Sequence, residues 1–190
     1  MSLDRGFFER DTAKVAKELL GKNFIHREDN QIFKGKIVET EAYFGPEDPA
    51  SRAKEEKTKI NENMWKKGGK TLVYMVHSYW LFNIATEGED IPGAVLIRAV
   101  EPLKGIDTMK DRREKDREKE LASGPGKFTQ AFGISKDHHG MDVTSSEKLT
   151  VERSENFQSF DIGTSHRIGV TEDLERELRF FVKDNGHVSS

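Results

Sequence analysis

The sequence predicts a single α+β domain with a mainly β core, and three observations lead there. Short β-branched and aromatic runs recur along the chain, each bounded by turn residues. Helical periodicity appears only in brief stretches between them. The 190 residues contain no repeat, linker or composition shift, so 1–190 reads as one domain around one core.

Totals narrow the class further. Charged residues make up 34% of the chain, yet Leu, Ile, Val and Phe are spread throughout, which argues against disorder. Cysteine is absent, which sets aside disulfides, structural zinc and cysteine-ligated iron–sulfur clusters. No apolar run reaches the length of a membrane span, and Met1 to Gly6 lacks a secretory apolar segment. A soluble protein of the cell interior is the expectation. A formal charge of −3 gives no global pull toward nucleic acid, so any such surface must be a local patch.

Taken in order, Asp11 to Gly21 is a helix signal. Asp11 caps the first turn, Val15, Ala16, Leu19 and Leu20 form an apolar stripe, and Gly21 suits the left-handed residue after the last turn. Phe7 and Phe8 are expected to pack beneath it. Strands follow at 23–27 and 31–43, joined by the polar turn Glu28-Asp29-Asn30. From Gly45 to Lys70 the chain is polar and aperiodic, the pattern of a functional loop. It sets Lys54, Lys57, Lys59, Lys66, Lys67 and Lys70 against Glu55, Glu56 and Glu62. Residues 71–85 read as strand, with or without a tight bend near His77-Ser78, and 94–100 as a buried strand. The mixed charges of 105–120 suggest an exposed helix. Ser123-Gly-Pro-Gly-Lys127 opens another through Ala131, with Gly133 at its end and a first turn suited to a phosphate. Further strands are expected at 149–152, 167–170 and 178–182. His138-His139 face apart and find no third ligand at suitable spacing, so no metal is expected there.

The chemistry concentrates at the end of the second strand. Ile37, Glu39, Glu41 and Tyr43 alternate onto one face just before Gly45-Pro46 ends the strand. Arg98, on the face of Leu96 and Val100, needs a carboxylate if buried, with Glu101 and Glu41 as candidates. Asn83 is a polar residue in an apolar run and either braces a neighbouring loop or faces a ligand. No Ser-His-Asp set, GxGxxG or P-loop appears. Hydrolysis of a glycosidic bond fits a strand-end carboxylate, and two glutamates roughly 6.5–7 Å apart would also suit an inverting sugar hydrolase. The lysine-rich loop points instead to a polyanion.

The segment Ile-Val-Glu-Thr-Glu-Ala-Tyr-Phe-Gly-Pro-Glu-Asp-Pro-Ala-Ser at 37–51 resembles the signature of the alkyladenine (3-methyladenine) DNA glycosylase family. The resemblance continues, in the same order, through 11–22, 94–105, 123–131, 167–170 and 178–182. It implies a curved, mostly antiparallel, open-barrel-like sheet with peripheral helices, akin to the C-terminal domain of methionyl-tRNA formyltransferases. It also implies a monomeric base-flipping enzyme without metal or other cofactor. Such an enzyme removes alkylated or deaminated purines, the 3-methyladenine, hypoxanthine and ethenoadenine class, from double-stranded DNA. A cytoplasmic, nucleoid-associated location follows, or a nuclear one in a eukaryote.

By position, the resemblance makes Glu41 the base that activates water, with Arg98 and the main-chain carbonyl of Ile168 holding that water. Tyr43 becomes the stacking aromatic, and Asn83 the pocket amide that discourages a 2-amino group. Arg52 stands where the family has a base-contacting histidine, and Ile60-Asn61 where it has Arg-Asn. His77, or its neighbour Met75, is expected to wedge the duplex, while Lys59 and Lys127 are expected to meet phosphates. The alternatives are a lesion-binding or RNA-binding module with little turnover, and a carbohydrate hydrolase using both Glu39 and Glu41.

Overall fold

The computed structural model describes residues 1–155 and 159–190. Among these, four α-helices flank one antiparallel sheet that curls into a half-barrel. The helices are α1 (Arg5–Phe8), α2 (Thr12–Leu19), α3 (Ile106–Arg113) and α4 (Pro125–Phe132). The strands are β1 (Asn23–Glu28), β2 (Gln31–Tyr43), β3 (Thr71–Val76), β4 (Tyr79–Ala85), β5 (Ala94–Lys104), β6 (Leu149–Glu152), β7 (Ile162–Ser165) and β8 (Arg179–Val182). The sheet runs β3-β4-β5-β2-β1-β6, with β8 pairing to β2 and β7 to β8.

The thirteen residues of β2 form its axis. One edge of β2 pairs with β5 over most of its length. The other edge pairs first with β1, through Lys36, and then with β8, from Glu39 to Glu41. The sheet therefore forks at Ile37–Glu39, where the β2–β5 register slips by one residue. A bulge breaks strict alternation, and it changes the expected faces: Ile37 joins Val38 in the core, while Glu39 and Glu41 remain in the polar cluster beside Arg98. On β5, Leu96 lines the cavity with Arg98, but Val100 lies in the core.

Packing follows from the apolar stripes. Val15, Ala16 and Leu19 of α2 are fully buried against the sheet, and Thr40 Oγ donates to the Ala16 carbonyl at 2.8 Å. Phe128 and Phe132 of α4 meet Phe24 in tilted-edge contacts with centroids 5.0 and 5.6 Å apart, and Phe24 reaches Phe82 at 5.2 Å. A Cβ at Gly35 would lie 2.4 Å from Val100, so only glycine permits this approach of β2 to β5. Gly133 closes α4 in the left-handed region at φ 69°.

Two sequence expectations change. Arg167 to Val170 form a bend, not a strand; the strand lies just before, at β7, and the bend is needed to turn Ile168 back toward Glu41. The predicted helix at 105–120 stops at Arg113, where Glu114 turns left-handed at φ 51°, and Met109 anchors it in the core. The Gly45–Lys70 segment is tied down: Ala53 and Met64 form a small cluster with Leu72 and Ala94, and Asn61 and Asn63 are buried.

His138 and His26 meet in the interior, Nε2 to Nε2, at 2.9 Å. His26 Nδ1 faces the Phe132 carbonyl, and His138 Nδ1 accepts from the Ser135 amide. That pattern assigns both rings as neutral, with His138 donating to His26. Burial pushes His26 down to about 4. The folded state therefore resists a proton that the unfolded chain accepts near pH 6.5, so stability falls as pH drops below that value. Between pH 6.5 and 5 the loss is expected to be about 2 kcal/mol, read by chemical denaturation at each pH. His26→Gln should flatten that slope; an unchanged slope would remove the histidine pair as its cause.

Candidate functional site

Glu41 is fully buried, yet its carboxylate has three donors. The Tyr43 hydroxyl donates to Oε2 at 2.7 Å, the Ile168 amide to Oε1 at 2.7 Å, and an Arg98 nitrogen approaches Oε1 at 3.3 Å. Burial pushes the Glu41 carboxyl above its ordinary 4.5, with Arg98, the Ile168 amide and Tyr43 pulling against it. The result is a carboxylate more basic than usual that still has a positive neighbour. A carboxylate offers about four acceptor positions, so one lone pair remains free of these donors.

Arg98 is held from behind. Its Nε donates to Glu39 Oε1 at 2.8 Å, so Glu39 is its close partner; Glu101 instead pairs with Lys36. Glu39 also accepts from Arg179 Nε at 2.7 Å, and from the Ser189 amide and hydroxyl at 2.7 and 2.8 Å. Three of these donors converge on Oε1 and one reaches Oε2, so the carboxylate is held by four bonds inside the protein. Glu39 thus behaves as a clamp, and its two-residue spacing from Glu41 does not make a pair of catalytic acids.

In front of Glu41 lies a cavity of about 1000 Å³. Glu41 itself is not on its wall, but Tyr43, Arg98 and Ile168, its three donors, all are. Opposite chemistry is aromatic and cationic: Tyr74, Tyr79, His77 and Arg52 also line it. The Arg167 guanidinium lies 4.6 Å from the Tyr43 ring centroid. The Arg52 guanidinium lies 4.8 Å from that of Tyr74. Burial and the neighbouring carboxylate drive the Tyr43 phenol well above its usual range, so it stays a donor to Glu41.

Arg167 fixes this corner. It binds Asp48 with both terminal nitrogens at 2.7 Å, Asp173 at 2.6 Å and the Ala42 carbonyl at 2.9 Å. Burial alone would raise the Asp48 carboxyl, yet its bonds to Arg167 hold it below the usual range. The bend that carries the Ile168 amide is thereby tied to the loop after β2. Asp48, Arg167, Tyr74 and Ser189 escaped the sequence reading; only the Arg-Ile-Gly-Val motif hinted at one of them.

The other expected site residues fall in two groups. His77 stands on the cavity rim, at a two-residue hairpin turn where it and Ser78 both take left-handed backbone at φ 47° and 68°. Met75 and Tyr79 on either side are about half exposed. Asn83 is buried and donates to the Leu72 carbonyl at 3.1 Å, bracing the hairpin; it is not on the cavity wall. Lys127, in the first turn of α4, and Lys59 are exposed side chains near the cavity-lining residues Gly126 and Ile60. Among the described residues, no cluster of three or more His, Asp or Glu is arranged to hold a metal ion. His139 is engaged by Asn63 and the Val73 backbone.

A profile of the methylpurine-DNA glycosylase family matches residues 6–186. A protein of Chlorobium phaeobacteroides is 43% identical over 185 residues, covering 96% of this chain and 94% of its own. One of Natranaerobius thermophilus is 37% identical over 196 residues, covering 100% and 99%. Both carry the name "Putative 3-methyladenine DNA glycosylase".

The two glutamates should separate in stability. Glu39→Gln leaves Arg98 and Arg179 without their common charge and is expected to cost about 3–5 kcal/mol. Glu41→Gln removes a carboxylate whose ionised form burial disfavours, and is expected to be neutral or mildly stabilising. Thermal melts of both variants check this; equal losses would contradict the division.

Proposed function

Because the chain belongs to the methylpurine-DNA glycosylase family, we propose that it hydrolyses the N-glycosidic bond of an alkylated or deaminated purine swung out of duplex DNA into the cavity beside Glu41. The observation that carries this reading is a basic, buried carboxylate whose three donors line a cavity with ample room for an extruded purine nucleotide. An extruded base needs a flat partner and a few polar atoms to read its edge. Tyr43 supplies the first, and Arg52 with the backbone of 168–169 the second.

Glu41 takes a proton from water as the oxygen bonds to the sugar carbon and the purine departs with the C1′–N9 electron pair. A neutral purine leaves as an anion and takes up from solvent a proton equal to the one water gives up, whereas an N-methylated cationic purine leaves neutral and the water's proton passes to solvent. Arg98 and the Ile168 carbonyl orient the water. Positive charge developing on the sugar gains from the ionised carboxylate. The hairpin tip at His77, flanked by exposed Met75 and Tyr79, enters the gap that the nucleotide leaves. Lys59 and Lys127 meet phosphates on either side. The protein acts as a monomer where the DNA is, with no cofactor in this scheme. No helix among the described residues is long and apolar enough to cross a membrane.

Glu41→Gln should lower base release by about 10²–10⁴ while duplex binding persists; wild-type rates in that variant would end the mechanism. A wild-type chain that binds lesion duplexes tightly but frees no base would instead be a binding module. Since only ionised Glu41 acts, kcat/KM should fall as pH drops through a value above 4.5, and Arg98→Gln, which removes the largest opposing charge, should move that limb higher. Duplex affinity should fall with salt at a log–log slope of about −0.9 per neutralised phosphate, despite the net charge of −3.

A further inference from the structure

Arg52 is set in the cavity wall by unusually firm backbone. Its neighbours Ser51 and Ala53 are buried, and Ser51 Oγ bridges the Phe44 carbonyl and the Ala53 amide. The buried Asn61 side chain donates to the Arg52 carbonyl at 2.7 Å and to that of Glu56 at 3.2 Å. Only the side chain projects, and it lies over the Tyr74 ring. The exposed guanidinium makes no ion pair among the described residues, although Glu55, Glu56 and Glu172 share the cavity wall; Glu172 pairs with Lys54. Tyr74 in turn is close enough to Glu41 for the carboxylate's charge to push its phenol up. A planar cation without an ion-pair partner therefore lines the cavity proposed to receive an extruded purine.

Two consequences share a direction. Purines methylated at N3 or N7 are cations while still attached to the sugar. They meet like charge at Arg52, and the ring face of Tyr74 that would attract them already holds a guanidinium. A 6-oxopurine such as hypoxanthine is neutral and presents two acceptors, O6 and N7, on one edge. That is the edge an arginine reads with two parallel N–H groups. During bond cleavage a neutral purine leaves with the electron pair and gathers negative charge, which a donor at O6 and N7 stabilises. A methylated cation leaves as a neutral molecule and gains nothing from it.

We infer that Arg52 is a specificity-determining residue that tunes the cavity toward neutral 6-oxopurines, hypoxanthine first, and against N-methylated cationic purines. This rests on the proposed glycosylase reading and goes beyond it. Undamaged guanine has the same acceptor edge, so rejection of paired guanine falls to the cost of extruding it and to other walls.

The test compares single-turnover release of hypoxanthine from a defined duplex with release of 3-methyladenine from methylated DNA. Wild type, Arg52→Gln and Arg52→Lys are each assayed, with melting curves as a check on folding. Wild type should favour hypoxanthine, and Arg52→Gln should cut the hypoxanthine-to-3-methyladenine ratio by about tenfold, slowing the first and speeding the second. Arg52→Lys keeps the charge but loses the planar fork, so it should slow hypoxanthine without restoring 3-methyladenine. A ratio unchanged within twofold in Arg52→Gln would overturn the inference while leaving the glycosylase intact. Release of neither base by the wild type would overturn the glycosylase reading itself.

Discussion

The structure turns on a buried ionic cluster in which Glu39, fully inside the protein, collects Arg98, Arg179 and Ser189. A lone carboxylate there would be costly, and so would either arginine alone. Together they neutralise one another, and the surplus positive charge is presented on one side, toward Glu41. The whole arrangement depends on β2 being able to place two carboxylates on one face while its other face packs into the core. The bulge at Ile37–Glu39 makes that possible. It lets two consecutive apolar residues enter the core and frees the next stretch of strand to change neighbours from β1 to β8. Without that change, Arg179 would not reach Glu39 at all.

Much of the fold was legible because its signals are local. The Asp11 cap, the glycine after α4 and the long β2 all follow from side chains within a few residues of one another, whereas the turn at His77-Ser78 is one of two options. The site was only half legible, for a reason of distance along the chain. Arg98 lies 59 residues from Glu39, Arg167 119 from Asp48, and Ser189 150 from Glu39. A sequence shows that a buried arginine needs a carboxylate; it does not show which of several will be brought to it. The same limit explains Arg98, assigned to Glu101 or Glu41, whose shortest contact is with Glu39. The bend at Arg167–Val170 reads as strand because its composition is strand-like. Its backbone bends at Gly169, in the left-handed region at φ 77°, and Arg167 turning inward to Asp48 fixes the bend, a tertiary contact that the local composition does not show.

Charge tells a parallel story. The chain is slightly acidic overall, and net charge alone would disfavour DNA. Yet several acids are drawn inward or paired, although Glu55 and Glu56 stay exposed on the cavity wall: Glu39, Glu41 and Asp48 are buried, Asp142 binds Arg5 and Glu101 binds Lys36. Lys57, Lys59 and Lys127 meanwhile stay exposed around the cavity. Net charge counts all of these equally, whereas a phosphate meets only those on the surface. Local cationic character and an acidic total are therefore compatible, because burial removes carboxylates from the potential that a polyanion experiences.

The division between Glu39 and Glu41 finally explains why one site can be both rigid and reactive. A general base must be basic enough to take a proton from water and still be ionised when the substrate arrives. Burial supplies the basicity of Glu41, and it would neutralise the group if nothing opposed it. Arg98 opposes it, but only from 3.3 Å, because its shorter bond goes to Glu39. Had Arg98 paired with Glu41 as tightly as it does with Glu39, the carboxylate would be held fully charged and correspondingly weak as a base. By engaging Arg98 from behind, Glu39 sets how much positive charge Glu41 feels, so a clamp residue would fix the strength of the carboxylate proposed as the base.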